Sequence, residues 1–224
     1  MARFSRLEVL NRVVELGLVP VFYNPDPEVA CRTAAACAAG GATVVEFVNR
    51  GDHAIDVFKA MVQNGQQQAP DLVLGAGSIV DAPTAALYVA HGANFIVGPS
   101  FNGEVARFCN RRKIPYLPGC LTPTEIATAE EAGVEIVKVF PSESVDGPEF
   151  VRHVLGPCPW SRIMPTELRG LTPERVIEWF NAGIVAFGVG QELIKKEYLA
   201  KRDYGALEKR ATEILTWVRA ARKK

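Results

Sequence analysis

The sequence has no excess of charge of either sign and no long apolar run. Its 25 Lys and Arg residues balance 25 Asp and Glu residues over 224 positions. A balanced chain has no overall field to attract nucleic acid or an anionic membrane. No stretch of 18 apolar residues occurs without a charge or a glycine, so no segment is expected to span a bilayer. We therefore expect neither a nucleic-acid partner nor a membrane partner.

Closely spaced cysteines and metal-binding motifs are also missing. Five cysteines are an odd number and include no C-x-x-C pair, which favours the reducing cytosol and a cytoplasmic location. Near the N-terminus, Glu8, Arg12 and Glu15 interrupt the apolar region that a signal peptide needs, so this segment is predicted to be an amphipathic helix. The three histidines match no metal-binding spacing, and no catalytic metal is expected.

Short β-branched runs alternate with stretches of helical periodicity along the whole chain. Eight strands are predicted, at 18–23, 43–48, 71–76, 94–98, 114–118, 134–140, 161–165 and 183–188. The segments between them open with Pro, Asp, Asn or Thr and often close at Gly, as helices do. This pattern predicts an α/β fold, a single (β/α)₈ TIM-barrel domain over 1–224 with an N-terminal capping helix. A doubly wound open sheet is the main competitor, but it usually has five or six strands and a nucleotide fingerprint.

Two charged residues lie inside predicted strands that are otherwise apolar. Lys138 lies between valines in V-E-I-V-K-V-F-P-S, and Glu46 lies in T-V-V-E-F-V-N-R. Because side chains alternate along a strand, Lys138 shares a face with Phe140, and Glu46 shares one with Arg50. Both strands are even-numbered, and alternate strands supply the same interior layer of a barrel. If they point inward, Lys138 and Glu46 are predicted to meet across the axis, with Arg50 nearer the rim.

A lysine in an apolar layer is suited to covalent chemistry with a carbonyl. Burial disfavours its ammonium form and favours the free amine, which is a nucleophile. A nearby Glu46 can then move the protons that Schiff-base formation and carbon-carbon cleavage require. The alternative is a buried ion pair between Lys138 and Glu46 with a structural role only, although such pairs are weak stabilisers.

Several strand ends carry groups that suit an anionic substrate. Arg50 offers a planar fork to a carboxylate, or forms a surface ion pair. Ser78 in G-A-G-S brings a hydroxyl and close backbone approach, while Pro99 in G-P-S and Thr166 in M-P-T end their strands similarly. Each of these segments is also compatible with a simple tight turn. Together with Phe140 they form the predicted substrate-binding set.

The longest motifs of the chain resemble those of the KDPG/KHG aldolases, the Schiff-base enzymes that cleave 2-keto-3-deoxy-6-phosphogluconate or 4-hydroxy-2-oxoglutarate. The matching motifs are V-E-F-V-N-R at 45–50, G-A-G-S at 75–78, L-P-G-C-L-T-P-T-E at 117–125 and V-K-V-F-P-S at 137–142. The resemblance implies that Lys138 forms the imine and that Glu46 shuttles protons. It makes Arg50 and Ser78 contacts of the substrate carboxylate and Thr166 a substrate-side hydroxyl. It further implies pyruvate as a product, no cofactor or metal, and a homotrimer.

The chain departs from this family pattern after the last two strands. The family segment P-T-G-G is replaced by P-T-E-L-R-G, and Gln191 stands where a serine hydroxyl is expected. Phosphate binding requires exposed backbone amides without an adjacent acid. Glu167 is therefore expected to repel a phosphate unless Arg169 turns inward. The residues expected on this distal, phosphate side of the pocket are Gly170, Gly188, Gly190 and Gln191.

The predicted reaction is retro-aldol cleavage of a 2-keto-4-hydroxy acid to pyruvate and an aldehyde. The altered distal side leaves the 6-phosphate, 4-hydroxy-2-oxoglutarate and an unphosphorylated sugar acid as rival substrates. A second enzyme hypothesis is a sugar-phosphate isomerase or epimerase that uses Glu46 as base and Lys138 as an electrostatic clamp. A third hypothesis is a catalytically idle relative that only binds a ligand.

Overall fold

The computed structural model describes residues 2–166 and 168–223. In this part of the chain, eight parallel strands form one sheet in the order β7-β6-β5-β4-β3-β2-β1-β8. The strands are β1 (Leu18–Phe22), β2 (Val44–Val48), β3 (Val73–Gly77), β4 (Ile96–Gly98), β5 (Tyr116–Cys120), β6 (Val137–Val139), β7 (Ile163–Pro165) and β8 (Phe187–Val189). The edge strands β7 and β8 meet through a parallel bridge between Thr166 and Gly188. The sheet therefore curls into the predicted (β/α)₈ barrel.

The helices alternate with the strands, and those that follow the strands pack on the outside of the barrel. They are α1 (Arg6–Leu16), α2 (Pro27–Ala39), α3 (Ala54–Gln68), α4 (Ala82–Ala90), α5 (Gly103–Arg112), α6 (Pro123–Glu131), α7 (Gly147–Leu155), α8 (Pro173–Asn181), α9 (Lys196–Ala200) and α10 (Tyr204–Arg222). A short 3₁₀ helix, Ser142–Ser144, follows β6. None of the described helices is long and apolar enough to cross a membrane.

Each predicted strand overlaps an observed one, but β3, β5 and β8 end one or two residues beyond the predicted segments, and several paired segments are shorter than the apolar runs. The run at 134–140 pairs with its neighbours only over Val137–Val139. Val134 and Ile136 are nevertheless buried, at 6% and 1% exposure. Apolar character reports burial, whereas the hydrogen-bonded ladder depends on the positions of the neighbouring strands.

Two separate apolar layers hold the barrel together. Outward-facing strand residues such as Val45 and Phe47 pack against the surrounding helices. The inner layer takes residues from the strands, among them Val44, Ile136 and Met164. Burying apolar surface on both faces of the strands is what stabilises a parallel barrel.

Helix α1 closes the N-terminal end of the barrel. Its buried side chains Val9, Leu10 and Val13 belong to the same apolar cluster as the inner strand residues. A capping box between Ser5 and Glu8 begins the helix, since the two side chains satisfy free amides of the first turn. Gly17 ends it in the left-handed region with φ of 68°, a conformation that glycine adopts without steric cost. The predicted capping helix is therefore present. The loops that follow the strands lie at the opposite, C-terminal end of the barrel.

Candidate active site

Lys138 on β6 and Glu46 on β2 both point into the barrel. Their side chains are only 9% and 2% exposed, and Lys138 Nζ lies 4.0 Å from Glu46 Oε1. Both lie two residues beyond members of the inner apolar layer, Ile136 and Val44, as the strand period requires. The predicted proximity of these two groups is confirmed.

The Glu46 carboxyl group occupies space that β3 leaves open at Gly77, two residues beyond Gly75, the register partner of Glu46. A Cβ at Gly77 would overlap Glu46 Oε1 and lie 2.7 Å from its Cδ. Glu46 Oε2 is buried and has no hydrogen-bond partner in the described residues. Burial raises the pKa of Glu46, and the charge of Lys138 partly offsets this effect. A carboxyl group in this state keeps its proton to higher pH than an ordinary glutamate and can exchange it with a bound substrate.

The surroundings of Lys138 come from its own strand and from the neighbouring strand β5. Its Nζ lies 4.8 Å from the centre of the Phe140 ring. Gly119 is the register partner of Lys138 on β5, and a Cβ there would overlap the carbonyl of Pro99. The structure thus brings Phe140 close to the amine and places the Pro99 carbonyl over the strand position beside Lys138.

Thr166 lies on the rim between β7 and β8 and is held by its backbone. Its amide donates to the carbonyl of Val139, at 3.2 Å, and its carbonyl accepts a hydrogen bond from Ser142 Oγ. The Thr166 side chain is directed towards Gly188, where a Cβ would lie 2.5 Å from Thr166 Cγ2. Thr166 is 4% exposed, and its Oγ1 has no partner in the described residues. This hydroxyl therefore lacks the hydrogen-bond partner that a buried polar group normally has.

Ser142 is a positioning residue that the sequence reasoning missed. It is fully buried and donates to the backbone of Thr166 from the short 3₁₀ helix after β6. The available signal was its place in V-K-V-F-P-S, four residues after Lys138. Spacing alone does not reveal that a hydroxyl binds a backbone group on another strand.

Arg50 and Ser78 follow the ends of β2 and β3. The amide of Asn49 donates to the carbonyl of Gly77, at 2.8 Å, and Asn49 Oδ1 accepts a hydrogen bond from Tyr88 Oη at 2.9 Å. These contacts fix the backbone from which Arg50 extends. Arg50 is exposed, and within residues 2–166 and 168–223 it forms no ion pair. Ser78 is half-buried and adopts a left-handed φ of 58°.

Two backbone amides after β7 are occupied by carboxylates of the protein itself. The amide of Gly170 donates to Glu192 Oε1 at 2.8 Å, and the amide of Arg169 donates to Glu143 Oε1 at 3.1 Å. Arg175 also binds the Glu143 carboxylate, with an N to O distance of 3.2 Å. Sequence reasoning missed both glutamates, since no periodicity or motif marks a loop carboxylate that folds back onto an amide.

The other residues expected on the distal side lie in β8 and just after it. Gly188 lies in β8 against Thr166, and a Cβ there would collide with it. Gly190 uses its carbonyl to accept bonds from the amides of residues 193 and 194. Gln191 is exposed, and Glu167 lies outside the described residues.

A metal centre and a nucleophilic Cys120 are the two other kinds of site to consider. The part of the chain that the structure describes contains no group of three His, Cys, Asp or Glu residues placed to hold a metal ion. Cys120 belongs to the outer apolar layer, and burial raises the pKa of its thiol to about 12. The thiolate, which is the nucleophilic form, is therefore scarce at neutral pH.

Comparisons with known proteins point to one family. The family model described as KDPG and KHG aldolase matches residues 9–210. A 2-dehydro-3-deoxy-phosphogluconate aldolase of Haemophilus influenzae is 27% identical and covers 95% of this chain and 97% of its own. An enzyme of the same name from Treponema pallidum is 33% identical over 71% of this chain and 72% of its own.

A solved structure shares the fold. The KDPG aldolase from Legionella pneumophila, with pyruvate captured as a covalent carbinolamine, superposes with a TM-score of 0.82 at 21% identity. The superposition covers 94% of this chain and 98% of that one. The barrel, the match over residues 9–210 and the curated relatives agree. The chain belongs to the KDPG and KHG aldolase family.

Proposed function

We propose that the protein is a class I aldolase that cleaves a 2-keto-4-hydroxy acid to pyruvate and an aldehyde through an imine on Lys138. The observation that carries this proposal is the placement of Lys138 Nζ 4.0 Å from Glu46 Oε1 inside the barrel. A buried amine beside a carboxyl group of raised pKa supplies both the nucleophile and the proton carrier that the reaction needs.

The reaction begins when the free amine of Lys138 attacks the C2 carbonyl of the substrate. Glu46 donates a proton to the resulting carbinolamine oxygen, which leaves as water and yields a protonated imine. The Glu46 carboxylate left by this step then removes the proton of the C4 hydroxyl, the bond between C3 and C4 breaks, and its electron pair moves into the imine. The aldehyde departs, C3 of the enamine takes up a proton, and water releases pyruvate from Lys138.

The remaining residues have binding roles in this proposal. Arg50 has an exposed guanidinium at the end of β2, which suits a bidentate contact with the substrate carboxylate. Ser78, at the end of β3, gives a second contact of that carboxylate. Phe140 lies beside the amine, Pro99 lies over the neighbouring position on β5, and the unpartnered Thr166 Oγ1 binds a substrate hydroxyl.

The proposal is tested by borohydride reduction in the presence of pyruvate, followed by peptide mass mapping. We expect a single reduced adduct on Lys138 and none on Lys138→Ala protein. Lys59→Ala is the matched control, because Lys59 lies on α3 with a side chain 43% exposed. Absence of an adduct in folded protein would overturn the aldolase mechanism and favour an isomerase or a binding protein.

We also propose that the protein forms a homotrimer in the cytoplasm. Two large apolar side chains, Val80 shortly before α4 and Leu87 on α4, are 58% and 46% exposed, which supports contact with another subunit. The five cysteines are all free, as the reducing cytosol favours. Light scattering is expected to give three times the chain mass of 24.4 kDa, and a monomer would contradict the trimer. Cell fractionation tests the location.

A further inference from the structure

The loops after β7 and β8 lie at the same end of the barrel as the predicted substrate. In (β/α)₈ barrels these two loops are a frequent site of phosphate binding, because they present free backbone amides to the ligand. In this chain the amides of Arg169 and Gly170 already bind Glu143 and Glu192. A phosphate oxygen that used either amide would have to displace a carboxylate.

Both carboxylates are held at the protein surface by the hydrogen bonds that they accept. Glu143 accepts from the Arg169 amide and from the Arg175 guanidinium together, so a potential phosphate-binding arginine is neutralised as well. Glu192 follows β8 by three residues, and its oxygen lies 2.8 Å from the Gly170 nitrogen. A displaced carboxylate would remain tethered beside the phosphate and repel it, since like charges at close range are unfavourable.

The same rim offers a neutral ligand group a partner. Thr166 Oγ1 is buried without a hydrogen bond in the described residues, and its backbone is fixed by Ser142 and Val139. A hydroxyl of the substrate would satisfy this group, whereas a buried hydroxyl left unpaired costs free energy.

We infer that Glu143 and Glu192 are specificity-determining residues that exclude a terminal phosphate, so that an unphosphorylated 2-keto-3-deoxy sugar acid is favoured over its 6-phosphate. This inference rests on the aldolase reaction proposed above. The distal end of the aldehyde half is then an uncharged hydroxyl.

The test compares 2-keto-3-deoxygluconate with its 6-phosphate in steady-state assays. The wild-type protein is expected to favour the unphosphorylated acid by at least about tenfold in kcat/KM. In the double variant Glu143→Gln/Glu192→Gln this preference is expected to fall by about tenfold or more, mainly through a lower KM for the 6-phosphate. The matching double alanine variant, which also frees the amides, should lower the preference for the unphosphorylated acid further. Glu131→Gln serves as control, because Glu131 is exposed at the end of α6.

The outcomes separate this inference from the proposed function. If pyruvate and borohydride label Lys138 but the wild-type protein prefers the 6-phosphate, the specificity inference is wrong and the aldolase mechanism stands. The inference is also wrong if both double variants keep the wild-type preference. Failure of the labelling itself contradicts the aldolase mechanism, whatever the substrate preference.

Discussion

The substitution Gly77→Ala tests whether the space beside Glu46 is needed for catalysis. The added methyl group would overlap Glu46 Oε1 and lie 2.7 Å from Cδ, so the carboxyl group must move by about 1 Å or more. A displacement of about 1 Å can cost about 100-fold in rate, and complete loss of general acid-base catalysis costs about 10²- to 10⁴-fold. We therefore expect kcat/KM to fall by about 10²- to 10⁴-fold, which corresponds to about 3 to 5 kcal/mol in activation free energy.

The same substitution should leave the protein folded. Overpacking a buried site costs about 1 to 3 kcal/mol, and a domain of this size loses about 2 to 4 °C in Tm per kcal/mol. Gly65→Ala is the matched control. Gly65 lies within α3, and an added Cβ there would lie at an ordinary contact distance of 3.6 Å from Leu72 Cδ2. Replacing a glycine inside a helix is expected to stabilise the protein by about 0.5 to 1 kcal/mol and to leave activity unchanged.

A double-mutant cycle decides whether Gly77 acts through the carboxyl group. In a Glu46→Gln background, where the proton shuttle is already lost, Gly77→Ala should cost little further activity. An equal loss in both backgrounds would refute the reasoning, because Gly77→Ala would then damage the barrel without involving Glu46. Steady-state kinetics and thermal unfolding of the four proteins supply the measurement.

Three further predictions concern stability and substrate affinity. Burial raises the pKa of Glu46 above its ordinary 4.5, so its ionisation opposes folding; the stability of wild-type protein relative to Glu46→Gln should fall as pH rises from about 4.5 through the raised pKa. Denaturant titrations of both proteins over this pH range measure the difference in their free energies of unfolding, and a difference that stays constant with pH would contradict the raised pKa. Ser142→Ala leaves a buried carbonyl on the β7 rim unpaired and should cost about 1 to 3 kcal/mol and raise KM, whereas Ser144→Ala, at an exposed position of the same 3₁₀ helix, should change neither. Arg222→Met removes hydrogen bonds from α10 to two backbone carbonyls and should lower the Tm of one single unfolding transition; two separate transitions would contradict the single-domain prediction.

The barrel and its reactive pair could be predicted because both depend on regular periods. Strand alternation places Lys138 and Glu46 on the inner face whatever the loops do, and the even strand numbers place them in one layer. A charge inside an apolar strand is conspicuous in the sequence. The structure then adds what the period does not contain, such as the space that Gly77 leaves for the carboxyl group.

The distal side could not be predicted because its contacts join loops that have no period. Glu143 and Glu192 are 26 and 22 residues away from the amides they bind. Their positions depend on how three separate chain segments leave β6, β7 and β8. The departure of P-T-E-L-R-G from the family motif marked this region as altered, but it could not indicate which side chains fill it.

The apolar side chains of α1 close the N-terminal end of the barrel, so the active site is reached from the C-terminal end alone. Water, substrate and both products must then pass through the same opening above Lys138. In the proposed reaction the pyruvate half is covalently attached at the bottom, and the aldehyde half lies above it. Binding and release through a single opening are therefore ordered. The aldehyde leaves first in cleavage and enters last in synthesis, while pyruvate remains bound to Lys138 in both directions.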